Sequence, residues 1–211
     1  MAKWGDRDAR RRDILDAGRA LLIEHGFGAL QMRDVAKGAG ISPGTVYTYF
    51  ATKEALYAAL YAQRLHEFAD TIEPVCAAAD DAEDLYVAVA TEYLDVYRVY
   101  GRELNVWSVL AGEVHLDPEV GGVLAAAAGR VLAVTRRAVV RLGGHDTPED
   151  EFGPALVLLW SSINGLADHF TSVRQYLHAY GWEELVRFAA RTLAVGLAGT
   201  AGERAIEERQ R

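Results

Sequence analysis

The sequence predicts an all-α protein, and three observations carry that prediction. Apolar residues recur at helical spacing from one end to the other, capping residues precede proline at Ser42-Pro43, Asp117-Pro118 and Thr147-Pro148, and no strand-like alternation of apolar and polar residues occurs. No repeat of fixed period is present.

Taken in order, Ile14, Ala17, Leu21 and Leu22 mark one apolar face and Gly26 stands where a helix would end, so a first helix is expected over about 8–25. A second is expected over 31–38. Ser42 followed by Pro43 is an N-cap with proline at the first helical position, and Val46 and Phe50 supply the inner face of a third helix over 43–50. Thr52 caps a fourth, along which Leu56, Leu60 and Phe68 keep the period until Pro74, where a stop is expected. Beyond it, helices are expected over 82–99, 103–112, 118–142, 149–178 with a break at Gly153-Pro154, and 182–198, with stops at Gly143-Gly144 and Gly199.

Composition narrows the class. A chain of 211 residues that is 51% hydrophobic and 25% charged has the material for an ordinary globular core. Cys76 is the only cysteine, which excludes an internal disulfide and a cysteine-based zinc site. No apolar run has membrane-spanning length, and the charged start MAKWGDRDARRRD has no apolar segment behind it, so a cytoplasmic protein without a membrane partner is expected.

Charge is unevenly placed. Residues 1–53 hold nine Lys/Arg and six Asp/Glu, a net of +3, whereas the whole chain carries -8, so residues 54–211 carry -11. All three lysines lie in the short basic part. The charge split suggests a nucleic-acid-facing head over 1–53 and an acidic body over 54–211.

The stretch AKGAGISPGTVYTYFATKEAL, Ala36 to Leu56, explains the head. Two short helices joined by about four residues with a glycine in the turn describe a helix-turn-helix, whose second helix enters the major groove of DNA. Ala36 permits close helix packing, Gly40 can take the positive φ of a tight turn, and Ile41, Val46 and Phe50 fill the small core. Thr45, Tyr47, Thr48 and Tyr49 are then left to face outward or sideways, with hydroxyls for phosphates and base edges. Ser42, Gly44 and Thr45 sit at the helix N-terminus, and Lys53 can reach a phosphate as a point charge.

These residues resemble a known pattern. The runs Asp34-Val35-Ala36, Ala39 through Phe50, and Thr52 through Leu56 resemble the DNA-binding signature of the TetR/AcrR family of transcriptional regulators over about residues 10–60. The resemblance implies an all-helical homodimer, a three-helix head, a fourth helix as connector and a divergent ligand domain. It places Thr45, Tyr47 and Thr48 on bases or adjoining backbone and Tyr49 and Lys53 on phosphates, with Gln31, Arg33, Ser42 and Gly44 completing the DNA-binding set. Gln31 departs from the serine or threonine that the family often carries there, which puts a hydroxyl cap in question.

Beyond residue 60 the resemblance is architectural. It implies a four-helix dimer bundle from the last two long helices, on which Leu156, Leu159, Ile163, Leu166 and Phe170 form one stripe and Leu185, Phe188, Ala189, Thr192 and Leu193 another. Gly165 and Gly196 would permit close approach. Tyr93, Tyr97, Trp107, His115, Trp160, Asn164 and His169 have the aromatic and polar mix of a mostly apolar effector pocket. The function expected is a ligand-responsive repressor that binds a palindromic double-stranded DNA operator as a homodimer and is released by a small apolar or aromatic effector.

An enzyme is the rival reading. Glu103, Glu113 with His115, and Asp168-His169 are its best materials, yet no H-E-x-x-H, G-x-S-x-G or phosphate-loop pattern occurs. No cofactor, metal or catalytic residue is expected.

Overall fold

The structure is a computed structural model and describes residues 4–101, 118–143 and 152–209. Among these residues there are eight α-helices and no strand: α1 (Trp4–Ala29), α2 (Met32–Gly38), α3 (Pro43–Tyr49), α4 (Lys53–Ala78), α5 (Ala82–Val96), α6 (Pro118–Gly143), α7 (Phe152–Phe170) and α8 (Trp182–Arg209). A π-helical turn, Tyr97–Gly101, follows α5, and a 3-10 turn, Val173–Leu177, lies between α7 and α8. The helix expected over 103–112 lies outside the described residues, as do 149–151.

Packing divides the chain into two compact units, Met1–His66 with Val99–Gly129, and Glu67–Arg98 with Arg130–Arg211. That division differs from the sequence boundary at residue 53, because α4 and α6 each give one part to either unit.

In the first unit, Ile14, Leu22, Leu30, Val35, Val46, Leu56 and Leu60 are fully buried. Each such side chain contributes about 1.5–3 kcal/mol by leaving water. Gly26 interrupts α1 with φ 75° and ψ 177°, a conformation that favours glycine, so the expected stop is present as a break within a longer element. Gly18 lets α4 approach α1, since a Cβ there would lie 3.2 Å from Leu60 Cδ1. Tyr57 is buried with its ring edge-on to Phe27 at 4.8 Å, and its hydroxyl donates to the Tyr100 carbonyl at 2.8 Å. The π-helical turn begins at Tyr97, so the helix expected over 82–99 changes register before its end.

In the second unit, α5 packs against both α7 and α8. Val89 and Ala90 of α5, Ile163 and Ala167 of α7, and Val186 and Ala190 of α8 are all buried, and small side chains such as alanine let packed helices lie close.

Four expectations are corrected here. Pro74 does not end α4, which runs on to Ala78. A proline inside a helix costs about 3 kcal/mol, but Ile72 and Cys76 are buried on either side of it and hold the helical path. The Arg141 guanidinium then donates to the carbonyls of Cys76 at 3.0 Å and Ala79 at 2.7 Å, a cation on carbonyl oxygens at the end of α4. No break occurs at Gly153-Pro154, which sit in the first turn of α7, where proline is tolerated. The helix expected to reach 178 ends at Phe170, because Ser172 turns extended and accepts from the Arg174 N–H to cap the 3-10 turn. Gly199 does not stop α8, which continues to Arg209.

Candidate nucleic-acid interface and effector site

The helix-turn-helix is built by local chemistry. Met32, Val35 and Ala36 seat α2. It ends in a Schellman motif: Ile41 N–H donates to Ala36 O at 2.9 Å and Gly40 N–H to Lys37 O at 3.2 Å, with Gly40 at φ 65°. One determinant lies outside the sequence reading, for a Cβ on Gly38 would lie 3.0 Å from the Ala17 Cβ, so α2 approaches α1 through glycine. Nothing in the helical period marks that glycine, because the partner is distant in sequence.

Ser42 caps α3. Its Oγ accepts from Thr45 N–H at 3.2 Å and lies 2.9 Å from Thr45 Oγ1, with Pro43 at the first helical position. Val46 and Phe50 are buried beneath, as the spacing predicts. Tyr47 is 52% exposed and Thr48 is exposed, so the outer face of α3 is open. Thr48 Oγ1 donates to Gly44 O at 3.1 Å, which leaves its methyl and its acceptor lone pairs outward. Thr45 and Tyr49 are half-buried, and the Arg7 guanidinium lies 6.0 Å from the Tyr49 ring. Among the described residues a Cβ on Gly44 would meet only Ser42 Oγ at 3.8 Å, so their packing does not demand glycine there.

Gln31 stands at the N-cap of α2 and makes no side-chain cap; its amide donates back to Gly28 O at 3.2 Å. Thr52 does cap α4, accepting from Ala55 N–H at 3.0 Å. Lys53 opens that helix with its ammonium 4.0 Å from the centre of the Phe27 ring. Gln31, Met32, Arg33, Asp34, Tyr47, Thr52 and Lys53 line one open cleft of about 480 Å³. The fold thereby gathers Gln31, Arg33, Tyr47 and Lys53 beside the open face of α3.

In the second unit, three tyrosine hydroxyls of α5 and its π-helical turn bond to α7. Tyr86 donates to Ser162 Oγ at 3.0 Å, Tyr93 to Asn164 Oδ1 at 2.8 Å and Tyr97 to Asp168 Oδ1 at 3.1 Å. Burial pushes the Tyr86 phenol up from its ordinary range, against the opposing hydrogen bond with Ser162. Asn164 fixes its amide by donating to Trp160 O at 2.8 Å. Tyr93 and Trp160 pack edge to face at 5.4 Å, and Phe68 meets both rings. Trp160 Nε1 points to Oγ1 of Thr135, a fully buried hydroxyl that also donates within α6.

Four of the seven pocket candidates, Tyr93, Tyr97, Trp160 and Asn164, are therefore neighbours. His169 is apart from their hydrogen bonds: its Nε2 lies 2.7 Å from His178 Nε2, and the rings stack at 4.9 Å. Trp107 and His115 lie outside the described residues. Thr135, Asp168 and Phe68 share these contacts but are not among the seven pocket candidates, because a polar or aromatic residue on a helical stripe does not disclose which helix faces it.

Of the interface candidates, Ile163 is corrected: it is 0% exposed within the single chain and has no surface to offer. Leu156, Leu159, Phe170, Leu185 and Leu193 are half-buried, and Phe188 is exposed.

Comparison with known proteins agrees with this architecture. Residues 14–60 match the family described as bacterial regulatory proteins, tetR family. The HTH-type transcriptional regulator UidR of Escherichia coli strain K12 is 39% identical over 69 residues, which covers 31% of this chain and 35% of that protein. The match thus spans about a third of the length of that curated relative. A TetR transcriptional regulator from Rhodococcus sp. RHA1 shares the fold, with a TM-score of 0.62 at 23% identity over 91% of this chain and 99% of that one. A transcriptional regulator FadR from Bacillus subtilis in complex with stearoyl-CoA does so with a TM-score of 0.60 at 18% identity, over 88% and 98%. Among the described residues no helix is long and apolar enough to cross a membrane.

Proposed function

We propose that this chain, whose residues 14–60 match the tetR family of bacterial regulatory proteins, is a cytoplasmic repressor of transcription. It binds a palindromic operator as a homodimer and is released by a small apolar or aromatic effector. The carrying observation is the open face of α3 beside the cleft that holds Arg33 and Lys53, on the basic end of an otherwise acidic chain. Tyr47 and Thr48 read base edges or adjoining backbone there, and Thr45 lies at the same end. Gly44 acquires a reason from DNA, since a phosphate backbone in close approach leaves no space for a Cβ.

Two further observations support the rest of the reading. The α7/α8 pair buries one face on α5 and leaves Val157, Leu158, Phe188 and Val195 exposed on the other, as a dimer bundle requires. The tyrosine-to-α7 hydrogen bonds lie beside Trp160 and Phe68, a mostly apolar lining with a few orienting polar groups. The Bacillus subtilis regulator that shares the fold is bound to stearoyl-CoA, a ligand with a long apolar acyl chain beside a charged coenzyme A part. Such an effector acts by favouring one of two states of the dimer, and it shifts DNA affinity only as far as it distinguishes them.

The test is to incubate the purified protein with fragmented DNA of its source genome at physiological salt, and to sequence what is retained. A single enriched palindrome is expected. Uniform retention that vanishes with modest salt would overturn the reading, leaving charge attraction alone.

A further inference from the structure

The turn between α7 and α8 is built inside out. Its polar groups are occupied from within: Arg174 pairs with the Asp168 carboxylate, Ser172 Oγ accepts from Arg174 Nε at 3.1 Å, and His178 Nδ1 accepts from the Tyr180 N–H at 3.2 Å. Since that nitrogen accepts, a neutral His178 carries its proton on Nε2 and donates it to His169 across the 2.7 Å contact. Phe170 and Trp182 close the base, edge to face at 5.4 Å. The apolar side chains are left outside: Val173 is 79% exposed, Tyr176 80%, Leu177 78% and Tyr180 57%. A turn so anchored does not collapse to hide them, and a patch of this kind on a fixed frame marks an interaction surface.

We propose that this turn is an arm that packs against a second copy of the same chain. The inference rests on the homodimer reading and adds a second contact to it. Three arguments select that occupant. The turn joins the ends of α7 and α8, so it is continuous along the chain with the face that carries Val157, Phe188 and Val195. A stable interface buries about 800 Å² per partner. The two tyrosines add roughly 250 Å², at about 150–250 Å² for each fully buried ring. Finally, residues 171–181 contain no lysine, aspartate or glutamate and do contain tyrosine and arginine, the composition of an interface centre rather than of a solvated turn. In a two-fold dimer the arm acts twice, because the same patch is used by both copies.

The experiment compares self-association of the full chain by sedimentation velocity for the parent, an arm variant (Tyr176→Ser with Leu177→Ser) and a face variant (Phe188→Arg with Val195→Arg). Circular dichroism serves as the folding control, and Tyr176→Ser alone serves if the arm pair fails to fold. The expected result is a dimer dissociation constant raised at least about tenfold in the arm variant, with a folded monomer. An arm variant within twofold of the parent, beside a monomeric face variant, would overturn the arm and leave the dimer standing. A parent that stays monomeric at high micromolar concentration would overturn the dimer reading itself.

Discussion

Gly38, the last residue of α2, stands so close to Ala17 of α1 that a Cβ upon it would lie 3.0 Å from the Ala17 Cβ. The contact sets how α2 lies on α1, and α2 in turn carries the turn that aims α3. Gly38→Ala gains about 1 kcal/mol of helix propensity but forces two methyl groups into overlap, at a cost of about 1–3 kcal/mol. A net loss of about 1 kcal/mol is expected from chemical denaturation. Adding Ala17→Gly should return most of that packing cost, and a non-interacting pair of substitutions would show instead that α2 simply shifts aside.

Arg141 and Arg137 stand on the same helix and differ in what they hold. Arg137 pairs with Glu73 at 2.6 Å between exposed side chains, whereas Arg141 donates to two carbonyls at the end of α4. Exposed ion pairs contribute about 0–1 kcal/mol. Part-buried carbonyls left without a donor cost about 1–3 kcal/mol. Urea unfolding should therefore show a larger loss for Arg141→Ala than for Arg137→Ala, and the smaller effect should fade in salt.

Much of the head was legible in the sequence because its determinants are local. Ser42, Pro43, Gly40 and Thr52 act on atoms within five residues of themselves, so spacing alone locates the caps and the turn. Pro74 and Gly199 were misread for the opposite reason: local propensity predicts a stop, and helices run through both. Around Pro74 the cause is visible, since Ile72 and Cys76 on either side of it are buried. The candidate effector residues are half legible. Tyr93 and Asn164 could be named as candidates, but their hydrogen bond joins residues 71 apart and no periodicity encodes it.

Cys76 gives the protein an alkaline signature. Burial pushes its thiol up to about 11 from an ordinary 9.0, against the pull of Arg137 and Arg141. The folded state therefore holds the proton more tightly than the unfolded chain. The associated stability is complete below about pH 9 and is lost as pH rises from 9.0 toward 11. Cys76→Ala should flatten that part of the stability-against-pH curve relative to the parent, with tyrosine and lysine titration common to both. The native thiol should also react slowly with thiol reagents at neutral pH and quickly in denaturant.

Tyr47 and Lys53 border the same cleft but should fail in different ways. Lys53→Ala removes the positive charge proposed to face a phosphate, so it should weaken binding to all DNA sequences alike and reduce the slope of log affinity against log salt by about 1. Tyr47→Phe removes only a hydroxyl, so it should leave the slope unchanged and cost about 1 kcal/mol on the operator alone. Fluorescence anisotropy on operator and scrambled duplexes across a salt series separates the two. A Tyr47→Phe variant equally weakened on both duplexes would assign that tyrosine to the backbone rather than to the bases.

Gly165 in α7 and Gly196 in α8 have no explanation within one chain. Each lies on an exposed part of its helix with no positive φ, and among the described residues a Cβ on either would meet nothing within 4 Å. Glycine there forgoes about 1 kcal/mol of helix stability relative to alanine. A second helix pair approaching closely at the proposed dimer face would supply a reason, because the absent methyl groups would let the backbones near one another. Gly165→Ala and Gly196→Ala should therefore act with opposite signs on two measurements. At protein concentrations where the chain is monomeric, thermal unfolding should rise by several degrees, whereas the dimer dissociation constant should increase. A rise in thermal midpoint with no loss of dimer affinity would place both glycines away from the interface.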